Sequence, residues 1–111
     1  MIRALILAAC CPATMTLAQT DDLITATYLC ERGVQVSVVF INPEGGASYA
    51  VARIDDKLLG MRQVVSGSGA RYRSGDGPDA YQLWVKGDDA LISVGPDGQD
   101  RTLFRNCSVQ R

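Results

Sequence analysis

Histidine is absent from the 111-residue chain. That removes Ser-His-Asp and Cys-His nucleophilic catalysis, His-ligated zinc and the usual axial ligand of haem. Aromatic residues are sparse at 6%, and no apolar run reaches the roughly 18 residues that a membrane-spanning helix requires. Neither sign of charge dominates, since 11 Lys and Arg stand against 12 Asp and Glu, so there is no basic footprint for nucleic acid. Nor does any segment sustain the apolar stripe of an amphipathic helix. The length allows one small domain.

Residues 1–18, MIRALILAACCPATMTLA, place Arg3 before an apolar stretch from Ala4 to Ala13 and end on the small-residue site Thr16-Leu17-Ala18. This is the pattern of a secretory signal peptide, which gives a mature domain of residues 19–111 in the periplasm. Leu7-Ala8-Ala9-Cys10 also fits a lipobox with the lipid on Cys10. A nine-residue leader is short for a charged plus an apolar region, and lipidation there would leave Cys11, Cys30 and Cys107, an odd set of thiols in an oxidising compartment. Cleavage after Ala18 is the expectation. It removes Arg3, so 10 basic residues face 12 acidic ones and the net charge becomes −2. Cys30 and Cys107 then remain near the two ends of the mature chain, and export favours joining them in one disulfide over leaving two buried thiols.

What the sequence does contain is turns: Asn42-Pro43-Glu44-Gly45-Gly46, Asp55-Asp56, Gly67 to Gly69, Gly75-Asp76-Gly77-Pro78, Gly87-Asp88-Asp89 and Gly95-Pro96-Asp97-Gly98. Between them the pattern alternates. Val34, Val36, Val38 and Phe40 share one face against Gln35 and Ser37, and Tyr81, Leu83 and Val85 oppose Gln82, Trp84 and Lys86. Period two with turn residues at this spacing predicts eight short strands, over 25–31, 34–42, 47–55, 57–66, 70–74, 80–87, 90–95 and 101–110. A lone antiparallel sheet would leave two open edges and an uncovered face, so the expected fold is all-β, an eight-stranded antiparallel β-barrel. Cys30 and Cys107 fall on the first and last strands, where a disulfide would close the seam.

Few residues suggest chemistry. The vicinal pair Cys10-Cys11 lies inside the leader, and the pairs Asp21-Asp22, Asp55-Asp56 and Asp88-Asp89 sit beside or inside turns, where left-handed tolerance and Asx hydrogen bonds account for them. Convergent glycosidase carboxylates and a calcium loop are both unsupported, so no catalytic residue, metal or cofactor is expected. Two segments stand apart. Ser66-Gly67-Ser68-Gly69-Ala70-Arg71-Tyr72 forms a narrow strand-to-strand loop, with hydroxyl donors of little bulk on a backbone that another surface can approach closely. Trp84 and Lys86, two residues apart on one strand face and followed by Gly87, are either a lysine stem laid along an indole or part of a presented patch.

Taken in order, Tyr28-Leu29-Cys30-Glu31-Arg32-Gly33, then Ser66 to Tyr72, then Tyr81 to Gly87 with Asp88-Asp89-Ala90-Leu91, and finally Cys107, resemble the family of periplasmic and membrane-bound inhibitors of c-type lysozyme. The four blocks span nearly the whole mature chain. The resemblance implies a disulfide-closed eight-stranded barrel, no enzymatic activity of its own, and a c-type lysozyme as protein partner, whose substrate cleft is blocked to protect bacterial peptidoglycan. It further implies that Ser68 and Lys86 engage the lysozyme active site, with Ser66, Gly67, Gly69, Arg71, Tyr72 and Trp84 around them. Two departures stand out: Leu83 replaces a frequent second aromatic, and the connection from Tyr72 to Tyr81 is longer than usual.

The rival reading is a small-ligand carrier that uses the barrel interior. It requires inward positions free of large side chains, and Val, Ile, Leu and Phe alternate inward on most strands.

Overall fold

Ile54 pairs with Lys57 across a two-residue turn, Asp55-Asp56, whose backbone φ values are +54° and +60°. Two consecutive left-handed residues are what a type I′ hairpin turn requires, and aspartate tolerates that region better than most non-glycine residues. The Asp55-Asp56 pair is therefore a hairpin device. The computed structural model describes residues 22–43 and 46–111. The leader, its cleavage site and the Cys10-Cys11 pair lie outside the described residues.

Eight strands form: β1 (Asp22–Leu29), β2 (Gln35–Asn42), β3 (Tyr49–Ile54), β4 (Lys57–Val64), β5 (Ala70–Arg73), β6 (Tyr81–Lys86), β7 (Asp89–Val94) and β8 (Arg101–Val109). Each pairs antiparallel with the next, and β1 meets β8, so the sheet closes into the expected barrel. The seam is short, formed by Tyr28 opposite Val109 and Leu29 opposite Ser108. Immediately beside it Cys30 and Cys107 form the disulfide, across a sequence separation of 77. β1 begins before the expected residue 25 and stops at Leu29, so Cys30 sits just past the strand, at the start of a 3-10 turn, Glu31–Gly33. The Cys30 N–H donates to Val34 O at 2.7 Å, which makes Cys30 the corner of the β1–β2 connection.

The alternation on β2 holds. Val36, Val38 and Phe40 are buried while Gln35 and Ser37 face solvent. Opposite them Ala50 and Ala52 are small where the neighbours are large, and Ile54, Met61, Leu83, Ile92 and Phe104 complete the interior. Tyr72 points inward too, its ring centroid 5.5 Å from that of Phe40. These side chains make up the buried core of the barrel.

β6 departs from simple alternation. Tyr81 and Leu83 are buried as expected, but so is Gln82, together with Arg73 and Ser93, each 3% exposed. The three are cross-strand neighbours on the outer face of β5, β6 and β7. The connection from Val94 to Arg101 folds over that face. Arg73 donates through Nη1 to Gln82 Oε1 at 2.9 Å, through Nε to Gly75 O at 3.3 Å, and through Nη2 to Gly95 O. Ser93 Oγ donates to the Asp100 carboxylate. A hydrogen-bonded polar layer thus lies outside the barrel wall, where buried polar groups find partners.

Candidate functional site

The segment Val65–Gly69 connects β4 to β5, which pair through Val64 opposite Arg71. β5 then pairs with β6 through Ala70 opposite Val85 and Arg71 opposite Trp84. That register brings the Ser/Gly loop beside the end of β6, where the sequence carries Trp84 and Lys86.

The loop is held at both ends. At its exit the indole Nε1 of Trp84 donates to Ser68 O at 2.9 Å, and Ser66 Oγ donates to the same carbonyl. Gly69 has φ +65°, and a Cβ built there would stand 2.4 Å from Val85 O and 2.7 Å from Lys86 Cγ. Only glycine permits that approach. At the entrance Arg71 donates to Val65 O through Nη2 at 2.6 Å and through Nε at 3.2 Å. Its Nη1 donates to Gln82 Oε1 at 2.8 Å and to Asp97 Oδ1 at 2.7 Å. The hydrogen bond from Arg71 holds the Asp97 carboxyl below the ordinary carboxylate value.

Lys86 ends β6, with its Nζ 4.3 Å from the centroid of the Trp84 ring. The ammonium rests over the indole while the residue stays exposed, which is the first of the two sequence alternatives for this pair, a lysine laid along an indole at the surface. One ring therefore organises both segments, anchoring the Ser68 carbonyl by its edge and the Lys86 ammonium by its face. With its carbonyl turned toward Trp84, Ser68 is exposed, and its Oγ has no hydrogen-bond partner among the described residues. Gly67 is different from Gly69, because a Cβ there would meet nothing within 4 Å. The fold does not demand glycine at that position, and its bare backbone stays open to an approaching surface.

Ser66, Gly67, Ser68, Gly69, Arg71, Trp84 and Lys86 are thus gathered at one site. Tyr72 is not among them. It is the inward-facing residue between the outward Arg71 and Arg73, and it belongs to the core. Gln82 and Asp97 were missed in the sequence, since nothing in a lone Gln on a strand or an Asp in a Pro-Asp-Gly turn marks it as the support of a distant loop. Among the described residues no three Cys, Asp or Glu side chains converge in a metal-binding group.

The family model described as "Membrane-bound lysozyme-inhibitor of c-type lysozyme" matches residues 28–101. The chain is 32% identical over 100 residues to the membrane-bound lysozyme inhibitor of C-type lysozyme of Escherichia coli K12, covering 90% of this chain and 81% of that protein. It is 35% identical over 72 residues to the protein of the same description from Pseudomonas aeruginosa, covering 64% of this chain and 53% of that one. Among solved structures it resembles the periplasmic lysozyme inhibitor of C-type lysozyme from Salmonella typhimurium, with TM-score 0.69 and 28% identity over 81% of this chain and all of the other. It also resembles Pseudomonas aeruginosa MliC in complex with hen egg white lysozyme, with TM-score 0.61 and 28% identity over 94% and 99% of the respective chains.

Proposed function

The chain belongs to the family of membrane-bound lysozyme inhibitors of c-type lysozyme, and we propose that its exported domain, residues 19–111, blocks the substrate cleft of a c-type lysozyme with Ser68 and Lys86. The observation that carries this reading is the convergence of the Ser68 loop and Lys86 on the single side chain of Trp84.

A retaining glycosidase presents one carboxylic acid and one carboxylate about 5 Å apart in a cleft that admits a sugar chain. The Ser68 hydroxyl, on a backbone left bare by Gly67, enters such a cleft and donates to a carboxylate oxygen, while the Lys86 ammonium offsets the ionised partner. Nothing is cleaved, because the loop offers no glycosidic bond. Trp84 lowers the cost of binding by holding both groups in place beforehand, so that little side-chain freedom is lost on association. The net charge of −2 on residues 19–111 steers the domain modestly toward a basic lysozyme surface.

The envelope is where this activity protects peptidoglycan, in keeping with relatives named membrane-bound or periplasmic. Removal of residues 1–18 releases the domain there with Cys30 and Cys107 as its two cysteines. The test is lysis of bacterial cell walls by a purified c-type lysozyme with and without residues 19–111. Reversible, dose-dependent protection is expected. Unchanged lysis with the folded domain in excess overturns the reading.

A further inference from the structure

Val65 opens the Ser/Gly loop and is 89% exposed. Apolar packing therefore does not hold the loop entrance, and the two bonds from Arg71 to Val65 O do. Arg71 in turn is not held by its neighbours alone. The Gln82 side-chain oxygen on which its Nη1 rests also accepts from Arg73, at 2.8 and 2.9 Å respectively. Two guanidinium groups thus share one neutral acceptor. Among the described residues, the carboxylate that pairs with this couple is Asp97, on the Pro96-Asp97-Gly98 turn between β7 and β8. That turn is closed by Gln99 N–H donating to Pro96 O at 2.9 Å, so the carboxylate is presented from a built structure.

We propose that Asp97 is a positioning residue for inhibition, acting through Arg71 on the carbonyl of Val65 and so on the entrance of the Ser68 loop. The proposal rests on the inhibitory reading above for its consequence, though not for its geometry. Without Asp97 the two cations repel across Gln82 with no counter-charge. Arg73 is 3% exposed and bound on three sides, whereas the Arg71 side chain is 18% exposed. Arg71 is the one that gives way. It turns to solvent and releases Val65 O, so that the loop loses its side-chain tether between the Val64–Arg71 backbone pairing and the Ser68 carbonyl.

The test compares the folded domain with Asp97→Asn, Arg71→Met and the double variant. Asp97→Asn removes the charge and keeps the shape. Its inhibition constant is expected to weaken roughly tenfold, equivalent to about 1.4 kcal/mol. In the Arg71→Met background the same change is expected to cost less than about twofold, because the path through Arg71 is already cut. In the free protein, amide exchange at Ser66 to Gly69 should accelerate in Asp97→Asn while thermal unfolding stays in place.

A direct ionic contact between Asp97 and a basic lysozyme surface would behave otherwise. Equal losses in both backgrounds with unchanged loop exchange would overturn the proposal. If Arg71→Met does not fold, Arg71→Lys takes its place, since lysine cannot reproduce the forked bonds. The exchange measurement needs no lysozyme. Failure of the wild-type domain to inhibit would sink the proposed function while the clamp is still decided on the free loop.

Discussion

Trp84 and Ser68 are joined by an indole N–H that donates to the serine carbonyl at 2.9 Å, and this bond turns a flexible Ser/Gly connection into a presented loop. A face of the same ring carries the Lys86 ammonium. Trp84→Phe separates the two roles, because phenylalanine keeps an aromatic face and loses the donor. A neutral hydrogen bond contributes about 1 kcal/mol net, so inhibition should weaken roughly fivefold. Trp84→Ala, which also frees Lys86, should weaken it further. Inhibition titrations beside thermal unfolding check both.

Ser68→Ala and Lys86→Ala test the contact itself. If they enter the cleft as proposed, removing one side of a desolvated charge-assisted pair costs about 2 to 5 kcal/mol, since a carboxylate left behind would be buried without its donor. That is roughly 30-fold to several thousand-fold in affinity. Both residues are exposed, so unfolding temperatures should hold. Losses below about fivefold at both sites, the scale of exposed rim contacts, would place the loop and the lysine outside the cleft.

Gly67 and Gly69 should respond in opposite ways. Gly69→Ala puts a methyl against the Val85 carbonyl in a left-handed backbone, so it should lower the unfolding temperature and disturb the loop together. Gly67→Val meets open space in the free domain. It should leave stability within about 0.5 kcal/mol and weaken inhibition, through bulk that the cleft must accommodate. Loss of stability at Gly67 would show that the fold uses this position after all.

The disulfide closes a loop of 77 residues, worth about 4.5 kcal/mol in the chain-entropy account. The barrel seam it staples is short among the described residues, with Tyr28 and Leu29 paired to β8 and Gln110 N–H donating to Thr27 O at 2.8 Å. A Cys30→Ser, Cys107→Ser double variant should lose about 2 to 5 kcal/mol in denaturant unfolding, with hydrogen exchange rising first along β1 and β8.

Burial pushes the Tyr28 and Tyr72 phenols above the ordinary value of 10.0, and for Tyr28 the charges of Tyr72 and Asp88 push the same way. An acid whose folded pKa is raised stabilises the fold fully below its unfolded pKa, and that contribution is lost as pH rises through the folded value. Stability should therefore fall on the alkaline side, from about pH 10 upward. Absorbance titration of phenolate should show a late fraction that Tyr28→Phe with Tyr72→Phe removes. Full titration of both tyrosines at the ordinary value would contradict their place in the core.

Local signals account for what could be read in advance. A two-residue Asp-Asp turn, alternation on β2 and cysteine parity each act over a few residues or by simple counting, and together they lead to eight strands, a closed barrel and the joining of Cys30 to Cys107. Tyr72 was legible as well, since a strand with Arg71 and Arg73 outward must turn the residue between them inward. The family resemblance places it with the Ser/Gly block, whereas the strand alternation places it in the core.

Which polar side chains would be covered was not legible, because burial of Gln82, Arg73 and Ser93 depends on the Gly95 to Asp100 turn folding over the outside of the barrel. By itself the sequence determined the strand pattern, the disulfide partners and the two segments that carry Ser68 and Lys86, because backbone conformation and binary patterning are local properties. Only the tertiary structure decided that Trp84 binds both segments and that Asp97 reaches Val65 through Arg71. Those contacts are set by strand register and by a turn distant in sequence, where hydrogen bonds form between residues whose order in the chain says nothing of their approach.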